Sequence, residues 1–328
     1  MSELMKAIRL EQPANSDDLI PIELSRPSPK GREVLVKVKA FSVNESEVTS
    51  RKGESSSDFS FPRILGIEGV GVIQSVPEKS KFKVGQQVAT MMEGLGRSID
   101  GSYAEYMVVH EDNLIPFESD LDWEILGAIP EMFQTAYGSL KKGLRLKQNE
   151  TLLIRGGTSS VGSMAAIIAK HQGATVISTT RKSENISALH EYGVDYPLLD
   201  DKNFESAVQE IMPTVVDKVL ELVGFTTLYQ DMNLLKQGGM ICFTGALSDK
   251  WTEKDFSPFS IPSGVYLTSY AGGVKDLPSD VLTEYLDLIK KDIMAVPIGK
   301  VYQGLESVSQ AHKDLEAHRY NGKYVVVI

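Results

Sequence analysis

Cysteine is almost missing from this chain: Cys242 is the only one in 328 residues. One thiol excludes an intrachain disulfide, and a structural zinc site of the usual four-cysteine or cysteine and histidine kind cannot be built from it. The five histidines, His110, His171, His190, His312 and His318, show no HExxH or similar pairing. Cys242 lies in the apolar pattern MICFTG and reads as core, with a reactive thiol the minor alternative. Positive charge is also scarce. Thirty-four Lys and Arg against 44 Asp and Glu leave a net charge of −10, which argues against nucleic acid or an anionic membrane as a partner. No apolar run approaches the ~20 residues that cross a bilayer. Residues 1–10 are charged and lack a signal-peptide core, so the cytosol is the expected compartment.

What the chain has is length for two domains and 42% apolar residues, ample for large cores. It is organised around residues 151–173, TLLIRGGTSSVGSMAAIIAKHQG. Residues 151–154 form a β-branched apolar run, Gly156 and Gly157 permit a tight turn, and Val161, Ala165, Ile168 and Ala169 then recur at helical spacing. A helix that starts this way offers unpaired N–H groups and a positive dipole end to a pyrophosphate. Aligned on GxGxxG the positions are Gly157, Thr158, Ser159, Ser160, Val161 and Gly162, with serine at the middle glycine. A plain strand-helix turn is the alternative. Residues 174–180, ATVISTT, supply a second strand one helix later, the spacing a dinucleotide-binding βαβ unit requires. That strand runs into Ser178, Thr179, Thr180, Arg181, Lys182 and Ser183, hydroxyls and cations without a carboxylate. This suits the 2′-phosphate of NADPH rather than the free ribose hydroxyl of NADH. The alternative is that Arg181 and Lys182 solvate a helix N-terminus, although cations are the less favoured sign there.

The N-terminal third alternates apolar and polar residues in short bursts at 5–10, 33–38, 70–76 and 87–90, punctuated by Pro and Gly, and the pattern continues through 101–109. This predicts an all-β domain. From 121 the texture turns helical, with Trp123, Leu126, Ile129 and Met132 on one face and then residues 135–140. Helix and strand alternate from 151 to about 270, with further strands expected at 195–199, 215–222, 240–244 and 265–270 and helices at 186–192, 204–212 and 228–235. Six strands make a complete doubly wound parallel sheet. The remainder reads as helices at 279–289 and 307–318 and a final strand at 324–328. The loop 248–262, with Trp251, Phe256 and Phe259, is too aromatic for a plain linker and reads as a lid or binding surface.

Several segments in order resemble the medium-chain dehydrogenase/reductase superfamily, in its quinone oxidoreductase-like branch. They are Val43 and Asn44 in an SVNxxE context with Arg51 and Gly53, GIEGVGVI at 66–73, GSYAEYMVV at 101–109, TAYGSL at 135–140, GGTSSVG at 156–162, Leu222-Val223-Gly224, LLKQGGMICFTG at 234–245 and HRYNGKYVVV at 318–327. The resemblance implies an α/β protein: a GroES-like β domain from residues 1–122 and 273–328 and a Rossmann domain from 123–272. Zinc-containing relatives carry cysteine at the position of Asn44 and histidine at that of Ile67. Only Glu68 survives of that set, and no cysteine lies between Glu93 and Ser119 for a structural zinc. Metal-free hydride transfer then needs an acceptor that is already electrophilic, a quinone or an alkene conjugated to a carbonyl.

The resemblance further places Asn44 nearest the reacting centre, as a donor or nicotinamide contact. A turn asparagine capping the next helix is the alternative. Thr135 would lie near the nicotinamide ribose or phosphates, and Ser159, Ser160 and Val161 at the pyrophosphate. Arg181, Thr179, Lys182 and Tyr196 would hold the adenosine phosphate end. Val223, Gly245 and Ala246 would border adenine and nicotinamide, unless Val223 and Ala246 are strand-end core. Asn321 to Lys323 would close over the cofactor, unless Lys323 only solvates an edge. Thr49 stands where many quinone reductases carry tyrosine, so Tyr270 or an aromatic of the 248–262 loop would shape the pocket. A homodimer pairing through the last Rossmann strand is expected. A coenzyme-binding sensor or structural protein of the same fold is the competing class, and zinc-dependent alcohol oxidation is disfavoured.

Overall fold

The computed structural model describes residues 3–55, 59–212 and 216–328. The chain divides into two compact units, Met1–Gln134 with Gly273–Ile328, and Thr135–Gly272. The division falls after Gln134 rather than after residue 122. Helix Trp123–Ala128 packs on the strands Glu33–Val43 and Lys323–Val327. Gly127 lies so close to Ala40 and Val325 that a Cβ would collide with the Ala40 methyl, and Ser42 Oγ donates to its carbonyl at 2.8 Å. The change of texture near 121 is thus a change of secondary structure inside the first unit.

The first unit is a β structure. Its seven-stranded sheet runs in the order Ile298–Gln303, Lys323–Val327, Glu33–Val43, Glu68–Ser75, Gln87–Met91 and Ile115–Phe117, with Tyr106–His110 also pairing with Glu33–Val43. Alternation explains the long central strand: Val34, Val36 and Val38 point into a core shared with Phe41, Ile73, Val88, Met107, Tyr103 and Val326. The C-terminal strand completes this sheet, antiparallel to Glu33–Val43 with Tyr324 opposite Val43. Strand Ile298–Gln303 has no counterpart in the sequence reading. It is an edge strand that buries only Tyr302, and its Gly299 and preceding Pro297 read as loop. Residues 101–105 are not strand either. Gly101, Ser102 and Tyr103 donate their N–H groups to Ile64, Gly66 and Leu65, and the ladder begins at Tyr106.

The second unit is a six-stranded, wholly parallel sheet. Its order is Tyr196–Leu199, Thr175–Thr180, Thr151–Arg155, Val216–Glu221, Leu235–Phe243, Tyr266–Ser269, numerically 3-2-1-4-5-6 within the unit, the doubly wound arrangement. The expected strand 215–222 begins at Val216, residue 215 lying outside the described residues. Strand Leu235–Phe243 starts five residues before the expected 240, because Gly238 and Gly239 accommodate a register shift instead of ending the pairing. Helix Pro130–Gly138 continues into a wide turn, Ser139–Gly143, whose Gly143 leaves no room for a Cβ beside Cys242 Sγ. Cys242 is accordingly core, with burial raising its thiol pKa.

Candidate active site

Strand Thr151–Arg155 ends in the glycine turn, and the turn is held by its neighbour. Gly156 N–H donates to Thr179 Oγ1 at 3.2 Å and Gly157 N–H to Thr179 O at 3.0 Å. Gly157 is required because a Cβ would collide with Ser178 Oγ, a buried hydroxyl without a partner among the described residues. Ser159 is the N-cap of helix Ser160–His171. Its Oγ accepts from Gly162 N–H at 3.1 Å and donates to Gly156 O at 2.8 Å. Ser163 Oγ closes the turn on Gly157 O at 3.0 Å. The N–H groups of Thr158, Ser160 and Val161 meet no partner among the described residues. Three unpaired donors at the start of a twelve-residue helix form a cradle suited to an anion.

The neighbouring strand ends complete this edge. Arg181 and Lys182 are exposed directly after Thr175–Thr180. Beyond Val216–Glu221, the Glu221 carboxylate accepts from Val223 N–H at 2.6 Å and Gly224 N–H at 2.9 Å, and its carbonyl receives Thr244 and Gly245. The structure therefore gathers Gly157, Thr158, Ser159, Ser160, Val161, Gly162, Val223, Gly245 and Ala246 at adjacent carboxyl ends. Two expectations change. Thr179 is fully buried with its hydroxyl bonded to the turn, so it shapes the cradle rather than facing a ligand. Tyr196 opens the edge strand, opposite Ile177, at the amino end of its strand and about 10 Å from the carboxyl edge at ~3.3 Å per residue. Thr135 lies in helix Pro130–Gly138, its carbonyl accepting from Ser139 Oγ at 2.7 Å.

The first unit holds Asn44 and Lys323 in a buried ionic cluster. Asn44 stands in extended backbone at the N-cap of helix Glu45–Lys52 and forms a capping box with Glu47, as the capping alternative expected, although its side-chain oxygen makes no full hydrogen bond to the helix. Asn44 Oδ1 instead accepts from Lys323 Nζ at 2.5 Å, while Nδ2 donates to Glu68 Oε1 at 3.0 Å and more weakly to Glu47 Oε1 at 3.4 Å. Lys323 Nζ also meets Glu131 Oε2 at 2.6 Å and Glu68 Oε1 at 3.0 Å. Glu68 Oε2 accepts from Glu131 N–H at 2.8 Å. Glu47 accepts from Asn44 N–H at 3.2 Å and Ile67 N–H at 2.9 Å. Lys323 is 1% exposed, which disposes of the edge-solvating alternative.

Electrostatics follow from that burial. Desolvation, with the Glu68 charge adding to it, pushes the Glu47 carboxyl up to about 7 against its Ile67 hydrogen bond. Glu68 is also raised, by burial first, with Lys323 opposing. Burial alone would lower Lys323, but Glu131 and Glu68 outweigh it and hold the ammonium charged. Glu47 was visible as the fourth residue of an Asn-x-x-Glu capping pattern. Nothing in the sequence marks Glu131 as a partner of Lys323 and Glu68. Nor does anything mark the adjoining buried set, in which Arg51 pairs both Glu316 oxygens at 2.9 Å and donates to His312 Nδ1 at 3.2 Å, with Tyr103 Oη 2.9 Å from Nε2.

Zinc does not fit this donor set. An amide, an isoleucine and one carboxylate, with an ammonium bonded to two of them, offer no tetrahedral N/S site. Among the described residues no group of three or more His, Cys, Asp or Glu is placed to hold a metal. The anion cradle does fit a nicotinamide nucleotide.

A parallel 3-2-1-4-5-6 sheet with a glycine turn opening its central helix, in a chain that also forms a β unit completed by its own tail, defines a nicotinamide-dependent dehydrogenase fold. Two family models match, the alcohol dehydrogenase GroES-like domain over residues 30–119 and zinc-binding dehydrogenase over residues 160–291. The quinone oxidoreductase of Sus scrofa is 26% identical over 333 residues, covering 99% of this chain and 98% of the relative. That of Lama guanicoe is 28% identical over 247 residues, 74% and 73% of the two chains. Among solved structures, a mycobacterial protein complexed with NADPH matches at TM-score 0.86 and 25% identity, covering 99% of this chain and all of the other. The chain belongs to the medium-chain dehydrogenase/reductase superfamily, in its quinone oxidoreductase-like branch.

Proposed function

We propose that the protein is a zinc-independent, NADPH-dependent oxidoreductase that reduces quinones or α,β-unsaturated carbonyls by hydride transfer. The observation that carries this reading is the Lys323 ammonium bonded to Asn44 and Glu68, the positions that belong to a metal in zinc-containing relatives. Without a Lewis acid to polarise a simple carbonyl, the acceptor must already be electrophilic. The free N–H groups of Thr158, Ser160 and Val161 would hold the pyrophosphate, and Arg181 with Lys182 the 2′-phosphate. A relative complexed with NADPH supports that coenzyme. When bound, the reduced nicotinamide supplies the hydride. The chain's part is to orient coenzyme and acceptor and to place Asn44 at the reacting centre. The second unit's outer strand Tyr266–Ser269, with Tyr266 and Phe259 exposed, is the surface through which a homodimer would pair.

The test follows NADPH absorbance with a quinone panel and an enone panel, before and after chelator treatment. Turnover that survives chelation is expected, and its complete loss on chelation would refute the reading. Tight NADPH binding with no turnover in either panel would assign the chain to non-catalytic coenzyme binding instead.

A further inference from the structure

We propose that Lys323 is a positioning residue. It locks the Asn44 carboxamide with its N–H groups turned inward, so that the site offers a ligand the Asn44 oxygen as an acceptor and not the nitrogen as a donor. This rests on the reading above, in which Asn44 stands at the reacting centre.

The argument is a count of hydrogens. An ammonium has three donors and no acceptor, so the Asn44 atom 2.5 Å from Lys323 Nζ is the carbonyl oxygen. The amide nitrogen then faces Glu68 at 3.0 Å and Glu47 at 3.4 Å, and both of its hydrogens are spent on carboxyl oxygens. Flipping the amide would set its NH2 against an ammonium and its oxygen against two carboxyl groups, so charge fixes the orientation. Lys323 is itself exhausted, its three donors directed to Asn44, Glu131 and Glu68. Glu47, Glu68 and Lys323 are buried, and only Asn44 and Glu131 keep some exposure. The Glu47 N–H beside it in the capping box bonds the Asn44 backbone carbonyl at 3.1 Å, so Asn44 Oδ1 retains one lone pair. A ligand at Asn44 must therefore bring a hydroxyl or an amide N–H, and negative charge developing on an acceptor oxygen must find its donor elsewhere. Such a donor group comes either from the nicotinamide nucleotide or from the hydroquinone product.

The test uses the full-length protein with asparagine labelled by 15N and 13C, the Asn44 signals being assigned by their absence in Asn44→Ser. In the native protein the Asn44 side-chain N–H groups should exchange with water at least ~10-fold more slowly than those of exposed asparagines. Exchange at the exposed rate would overturn the proposal, and this measurement needs no substitution of Lys323. Lys323→Met should raise the rate ~10-fold and Lys323→Arg should restore most of the protection; equal rates in both variants would count against the lock. NADPH alone should shift the Asn44 carbonyl carbon if the coenzyme is the donor. A hydroquinone alone should do so if the product is. In either case the N–H protection persists. A carbonyl carbon unmoved by both ligands would overturn the acceptor role. Failure of the absorbance assay would refute the reductase reading while leaving the exchange result intact, so the two failures are distinguishable.

Discussion

Glu47 shows how a single buried side chain makes stability depend on pH. Its carboxyl is pushed from an ordinary 4.5 up to about 7, chiefly by burial. Between those values the folded chain holds a proton that the unfolded chain has released, so the Glu47 contribution falls as pH rises across that window and is lost above it. At ~1.4 kcal/mol per pH unit the swing is roughly 3 kcal/mol. Urea denaturation of native protein and Glu47→Gln from pH 4.5 to 8 should show their stability difference changing by that amount in favour of the variant. Comparing the pair cancels His312, which burial and then Arg51 pull down to about 3 and which acts with the opposite sign, losing stability as pH falls below 6.5. Asn44 and Glu68 were legible as residues because their neighbours in sequence spell a recognisable pattern. Their pairing with Lys323 and Glu131 was not. Lys323 lies 279 residues from Asn44 and Glu131 lies 63 from Glu68, and no local pattern pairs a lysine with carboxylates across such separations.

The glycine turn makes the corresponding prediction for an element. Gly157→Ala should drive its methyl into Ser178 Oγ, destabilising the protein by about 1–3 kcal/mol and weakening NADPH binding. Ser178→Ala removes a buried hydroxyl that bonds nothing among the described residues, and should be neutral or stabilising by about 1 kcal/mol. The double variant should recover much of the loss in thermal unfolding and in NADPH titration, and strict additivity would show that the two do not meet. Just before the turn, Arg155 is buried over the Phe204 ring at 3.9 Å with Asp200 and Asp231 each 3.2 Å away. The Asp231 approach is a charge contact rather than an aligned hydrogen bond, since Arg155 Nε and both Asp231 oxygens lack hydrogen-bond partners among the described residues. Burial, with Glu221 beside it, raises the Asp231 pKa well above the usual range. Strand, turn and helix were readable here because each rests on near neighbours: β-branched residues, a glycine pair and helical spacing. Ile298–Gln303 was not readable, because an edge strand that buries one tyrosine prints no alternation.

Over the whole molecule, the tail is the part whose removal should matter most. Strand Lys323–Val327 lies between Ile298–Gln303 and Glu33–Val43 and carries the buried Tyr324, Val325 and Val326. A chain ending at residue 322 should lose the cooperative unfolding transition of the first unit, measurable by near-ultraviolet circular dichroism. The proposed NADPH preference is tested at the same scale. Arg181→Ala with Lys182→Ala should cut the NADPH over NADH preference by about 10-fold or more, the worth of charge-assisted bonds to a phosphate, read from coenzyme titrations. The sequence by itself determined the β-rich first third, the parallel sheet and the glycine turn, because those depend on local periodicity and residue type. Only the tertiary structure decided where the first unit ends, that Thr179 supports the turn, and that a lysine from the last strand stands among Asn44, Glu68 and Glu131. Those facts depend on which distant segments share a sheet, and strand pairing across hundreds of residues is set by the packing of the whole core.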